Sequence, residues 1–150
     1  MALQTTIDQD IKSAMLAKDD ARLRGLRAIK AALLLAKTEK GAAQDLSEDA
    51  EIKVLQRLVK QRKESADIYQ QQNRNDLRQI EMEEIAVIEA YLPQQLDRAE
   101  IETVVKQLIA ANQASGMKDM GKIMGLANKE LAGRADGKTV AEVVKAQLAN

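Results

Sequence analysis

One proline, Pro93, stands in a chain of 150 residues. Proline lacks a backbone donor and pushes the residue before it out of helical geometry, so Pro93 marks where a helical pattern must stop. On both sides apolar residues recur at three- and four-residue intervals, and no run alternates with the two-residue period of a strand. Ala, Leu, Lys, Glu and Gln dominate, a composition suited to helices. The expected class is all-α. An N-terminal lobe of about four helices is expected over 1–92 and a small three-helix lobe over 93–150, with a hinge near 92–97.

The apolar spacing places the helices. Leu3, Ile7, Ile11 and Met15 mark a first helix, and Asp19 or Asp20 caps a second carrying Leu23, Leu26, Ile29 and Leu33. After a break from Gly41 to Leu46, Ser47 opens a third helix whose Glu48, Asp49 and Glu51 suit its positive N-terminal end. It runs through Val54, Leu55, Leu58 and Val59 toward Tyr69. Residues Gln70 to Asn75 are either a turn or a frayed continuation. A fourth helix carries Leu77, Ile80, Ile85, Ile88 and Leu92 up to Pro93. Beyond it, Asp97 and Glu100 form a capping-box pattern ahead of Ile101, Val104, Val105, Leu108 and Ile109, and Ser115-Gly116 closes that helix. Asp119 is expected to cap a short helix through Met120, Ile123, Met124, Ala127 and Leu131, and Val140, Val143, Val144 and Leu148 mark the last.

Composition excludes several functions. The chain has no cysteine and no histidine, so disulfides, thiolate chemistry and every histidine base or metal ligand are absent. Its formal charge is zero, with 23 basic and 23 acidic residues, and this gives no overall pull toward nucleic acid. Two tyrosines are the only aromatics, too few for base-stacking recognition. No signal pattern and no apolar run of roughly 18 residues is present. A cytoplasmic protein without a membrane partner is expected.

Four glycines need a reason. Gly121 and Gly125 share one face of a predicted helix, and each costs roughly 1 kcal/mol there relative to alanine. Close helix packing is the favoured explanation, with close approach of a ligand backbone as the alternative. Gly133-Arg-Ala-Asp-Gly137-Lys138-Thr139 resembles a phosphate loop but has three residues between its glycines instead of four, and it follows a helix. A left-handed helix end at Gly133 and a helix cap at Asp136 are the preferred roles.

Charged clusters carry weaker signals. Arg22, Arg24, Arg27, Lys30 and Lys37 spread around helix two, while Lys53, Arg57 and Lys60 form a tighter stripe on helix three. That stripe is able to track phosphates, though Glu64 and Asp67 continue the same face and a solvated surface is the default. Glu81 and Glu84 fall on the apolar side of helix four. An interhelical salt bridge to an arginine of helix two or three is favoured over a catalytic carboxylate pair.

The combination of Leu23-Arg-x-Leu-Arg-x-Ile-Lys-Ala-Ala-Leu33, Glu89-Ala-Tyr-Leu-Pro-Gln-Gln-Leu96, Asp119-Met120-Gly121-Lys122-x-Met124-Gly125 and Gly133-Arg134-Ala135-Asp136-Gly137-Lys138 resembles the GatB/YqeY family, in particular its stand-alone YqeY-like proteins. The resemblance extends over essentially the whole chain. It implies a helical N-terminal lobe and a C-terminal lobe related to the tail of GatB, the subunit of glutamine-dependent tRNA amidotransferase that holds charged tRNA. It also implies a tRNA contact through that C-terminal lobe. Gly121, Met124, Gly133, Ala135 and Asp136 match the GatB tail, and Gly125 and Gly137 complete the motif. Lys118, Lys122, Arg134 and Lys138 are the nearby groups for phosphate. Family transfer would suggest carbon–nitrogen ligase activity with glutamine as amido donor. The glutaminase subunit and nucleotide-binding domain that such chemistry requires have no counterpart here, so no catalytic residue, metal or cofactor is assigned. The other function considered is a protein–protein adaptor that docks on an amidotransferase or another partner through Met120, Ile123 and Met124. An enzyme using Glu81 and Glu84 ranks third.

Overall fold

In the computed structural model, residues 3–39, 41 and 45–149 are described, so positions 42–44 of the predicted break at 41–46 lie outside them. Among the described residues seven α-helices follow in order: α1 Leu3–Ala17, α2 Asp20–Glu39, α3 Glu48–Gln71, α4 Asn75–Glu89, α5 Arg98–Ala111, α6 Met120–Glu130 and α7 Gly137–Ala149. A 3-10 turn, Met117–Asp119, precedes α6. Among the described residues there is no strand, and no helix is long and apolar enough to cross a membrane. The chain divides into two compact units, Met1–Pro93 and Gln94–Asn150.

In the N-terminal unit, α1 packs on α2, and α3 and α4 form an antiparallel hairpin against which α2 lies. The core is built from Ile7, Leu26, Ile29, Leu33, Leu55, Val59, Ile85, Ile88 and Leu92. Met15 is half exposed, and Ala14 is buried in its place. A strict four-residue repeat advances 400° per step, so by its fourth member the stripe has turned about 120° away from the core. Ile80 is likewise 41% exposed. Gly25 is the tight point of this unit: a β-carbon there would sit 2.7 Å from both Cβ and Cγ1 of Val87. It lets α2 approach α4 closely.

Local caps match local chemistry. Asp19 accepts the Arg22 amide at 3.1 Å, and Ser47 accepts the Ala50 amide at 3.1 Å. Residues 72–74 form a true turn, with Asn73 in the left-handed region at φ 58°. The fourth helix stops at Glu89, four residues before Pro93, and Tyr91 and Leu92 finish it with tightened turns.

In the C-terminal unit, α5, α6 and α7 bury Ile101, Val105, Ile123, Ala127, Leu131, Val140, Val143, Val144 and Leu148. The capping box at Asp97 forms: Asp97 accepts the Glu100 amide at 2.8 Å, and Glu100 accepts the Asp97 amide at 3.1 Å. Two expectations are corrected here. Helix α5 ends at Ala111, with Gln113 left-handed at φ 52°, before Ser115-Gly116 is reached. Asp119 makes no side-chain cap on α6; it accepts the Ser115 amide at 2.9 Å and closes the intervening loop.

Candidate nucleic-acid interface

The two most motif-rich segments of the C-terminal unit are held against each other. The Leu96 amide donates to the Arg134 carbonyl at 2.8 Å, and the Gln95 side-chain amide donates to the Gly133 carbonyl at 2.7 Å. Arg134 Nε reaches the Gln94 carbonyl at 3.4 Å. The α6–α7 loop is thereby pinned to the stretch after Pro93. Gly133 adopts φ 76°, the left-handed conformation expected after a helix. Asp136 stands immediately before α7; its carbonyl accepts the Val140 amide at 3.1 Å and its carboxylate accepts the Thr139 hydroxyl at 3.3 Å. Ala135 packs on the core, as does Met124.

Gly121 and Gly125 behave differently from the packing role favoured on the sequence. Both are exposed on α6, and a β-carbon at either would meet nothing within 4 Å. Gly137 is equally open. No neighbouring helix of this unit needs these glycines, and none of the three has a positive φ. The packing explanation is therefore overturned for them, because α6 turns the opposite face inward through Ile123 and Ala127.

The four predicted cations are all exposed, yet they do not form one cluster. Lys118 and Lys122 sit at the start of α6, whereas Arg134 and Lys138 sit past its other end, about 16 Å away along a helix of this length. Sequence reasoning missed two lysines on the same surfaces. Lys129 lies seven residues from Lys122 and Lys145 seven from Lys138, a spacing that returns each to its partner's face. Lys122 and Lys129 thus border one side of the open face made by Gly121 and Gly125.

Local electrostatics favour these cations over the neutral total. The acids of this unit, apart from Glu130, are engaged: Asp97, Glu100, Asp119 and Asp136 in caps and turns, and Glu102 and Glu142 with Arg98 at 3.2 and 3.3 Å. Among the described residues, Lys118, Lys122, Lys129, Lys138 and Lys145 make no ion pair.

The two other candidate sites resolve into scaffold. Met120, Ile123 and Met124, the proposed adaptor stripe, belong to the core: Ile123 is fully buried and both methionines pack against it. An amphipathic 11-residue helix has one apolar face, and here it is used internally. Glu84 lies 3.8 Å from Arg62 of α3 and 4.0 Å from Arg24 of α2, while Glu83 takes Arg24 at 2.8 Å. The expected interhelical bridge is present for Glu84, whereas Glu81 makes no ion pair among the described residues. Burial, then the Glu84 carboxylate, raises the pKa of Glu81, with Arg62 opposing. Among the described residues no group of three or more Asp or Glu side chains is arranged to hold a metal ion.

An all-helical protein with two units and a lysine-bordered glycine face is thus defined. The sequence model of the family described as Yqey-like protein matches residues 4–148, and the chain belongs to that family. It is 34% identical over 129 residues to "Altered inheritance of mitochondria protein 41, mitochondrial" of Meyerozyma guilliermondii, covering 83% of this chain and 66% of that protein. The protein of the same name from Clavispora lusitaniae is 33% identical, covering 87% of this chain and 77% of that one. That from Lachancea thermotolerans is 30% identical, with coverages of 95% and 76%. These names overturn the cytoplasmic location expected above: the relatives are mitochondrial by name. Lack of cysteine removes the need for an oxidising compartment without choosing among the others.

Proposed function

We propose that this chain is a noncatalytic helical module that contacts tRNA through its C-terminal unit, the part that resembles the tail of GatB. One observation carries the proposal: Gly121 and Gly125 lower the helical propensity of α6 and relieve no contact within the unit. An incoming backbone is the remaining reason for a smooth helix face there. The lysines beside it are exposed and unpaired, as phosphate contacts require. The span of about 16 Å between Lys118–Lys122 and Arg134–Lys138 suits an extended sugar–phosphate strand better than a pocket for one anion.

The test is fluorescence anisotropy of labelled bulk tRNA with the full chain over a salt series, beside a Lys122→Ala/Arg134→Ala/Lys138→Ala variant. Wild-type affinity should fall steeply with salt, and the variant should lose roughly 2 to 3 from the slope of log K against log salt. Absence of tRNA binding at low salt, or binding that ignores salt, contradicts the proposal. A protein partner captured equally well after nuclease treatment would then favour the adaptor.

A further inference from the structure

Two contrasting sets of basic residues stand out in the N-terminal unit. On α2, Arg22 lies 3.8 Å from Asp10, Arg24 2.8 Å from Glu83 and Lys37 3.1 Å from Asp45. Lys30 Nζ lies 2.9 Å from Asp8 Oδ1, an ion pair by distance although the angles fall short of a hydrogen bond. These cations hold the helices of the unit together. On α3, Arg62 likewise pairs with Glu84, but a row of cations before it is different. Lys53, Arg57 and Lys60 are exposed, and among the described residues none makes an ion pair.

Their geometry is that of a row. Spacings of four and three residues keep the three side chains within about 60° of one another around the helix, over about 10 Å of its length. The opposite side of the same turns is anchored by Leu55 and Val59 in the core, so the row is fixed in direction. Asp49 lies before it on the same face and Glu64 and Asp67 beyond it, which limits the patch to three positive charges.

We infer that Lys53, Arg57 and Lys60 form a second polyanion-binding surface, on the N-terminal unit, and that its occupant is the phosphate backbone of RNA. Charge complementarity selects an anionic partner. The character of the face selects nucleic acid over an acidic protein. Protein interfaces depend on apolar or aromatic anchors seated in pockets, and this face presents Asp49, Lys53, Arg57, Lys60, Glu64 and Asp67 instead. The nearest large exposed apolar side chain on α3, Ile68, lies about two turns beyond Lys60. A backbone contact of this kind adds affinity and carries no base specificity. It makes no use of the glycine face of the C-terminal unit, and variants on α3 test it separately from that face.

The experiment compares the full chain with a Lys53→Gln/Arg57→Gln/Lys60→Gln variant and a Lys12→Gln control on α1, with labelled tRNA over a salt series. Glutamine keeps helix propensity and length, and matching melting curves establish that each variant is folded. The triple variant should bind at least tenfold more weakly at low salt. Its slope of log K against log salt should be shallower by about 2, since each phosphate that is no longer neutralised removes roughly 0.7 to 0.9. The control should match wild type. A triple variant with wild-type affinity and slope overturns the inference, as does a wild type that binds no RNA. Displacement of tRNA by poly-glutamate at equal charge concentration would transfer the surface to an acidic protein and overturn it equally. An Arg57→Glu variant gives an independent check, with a larger loss than Arg57→Gln expected.

Discussion

Gly25 and the pair Gly121–Gly125 occupy helices of the two units, and they have opposite surroundings. At Gly25 a β-carbon would collide with Val87 at 2.7 Å; at Gly121 and Gly125 it would meet nothing within 4 Å. Charges beside these glycines follow the same division. Arg24 and Arg62 of the N-terminal unit turn inward to the Glu83–Glu84 edge of α4, whereas the lysines around α6 and α7 point outward while neighbouring acids are held in caps. A glycine explained by its own fold is a packing residue. One that its fold does not explain implies something that arrives from outside.

The sharpest way to break this comparison is at Gly25. Gly25→Ala should destabilise the chain by about 2–3 kcal/mol in urea unfolding, since Val87 Cβ is fixed to its backbone and cannot swing aside. Val87→Ala in the same chain removes the clashes with Cγ1 and Cγ2 but leaves the one with Cβ, so rescue should be partial. A neutral Gly25→Ala would remove the contrast altogether. Next in size is Arg62→Met, which leaves the mostly buried Glu84 with Arg24 alone at 4.0 Å; a loss of about 2 kcal/mol by the same method is expected.

Asp97→Ala removes the capping box of α5 and should cost about 1 kcal/mol, while tRNA affinity is kept. Reduced affinity in a folded Asp97→Ala chain would show that the acids of the C-terminal unit do more than cap. The smallest effect belongs to Glu81. Burial and Glu84 hold its pKa above the ordinary glutamate range, so the folded chain binds this proton more tightly than the unfolded chain does. Stability attached to the group falls as pH rises from the ordinary value through the raised one. Glu81→Gln should therefore gain up to about 0.5 kcal/mol at pH 7 and nothing near pH 3.5, as read from melting at both pH values. A gain independent of pH contradicts the assignment.

Local signals were legible in the sequence. The helical class, the Ser47 cap, the Asp97–Glu100 box and the left-handed Gly133 follow from chemistry within a few residues, and each appears as expected. Features set by distant neighbours were not. The first-turn acids of α3 suited its dipole, but Glu51 also accepts the Leu3 amide at 3.1 Å, 48 residues away, which no local pattern encodes. Tyr91 donates a hydrogen bond to Asp10 for the same reason unseen. At the candidate site, the sequence names the motif glycines and cations but not their surroundings. Whether Gly121 faces a neighbour or open space depends on which side of α6 turns inward, and the Met120–Ile123–Met124 face settles that only once α5 and α7 are in place. Gly25, the glycine that does serve close packing, drew no attention because its partner Val87 lies 62 residues along the chain.

The central claim rests on the open glycines, and one double variant tests it most directly. Gly121→Ala/Gly125→Ala should melt at higher temperature than wild type, with most of a gain of about 1 kcal/mol from the mid-helix Gly125. The same protein should bind tRNA more weakly than wild type in anisotropy at low salt. A more stable protein that binds less well is the predicted result. A double variant that binds tRNA as wild type does, or that melts at lower temperature, would contradict the account, because the glycines would then serve no ligand or would serve the fold after all.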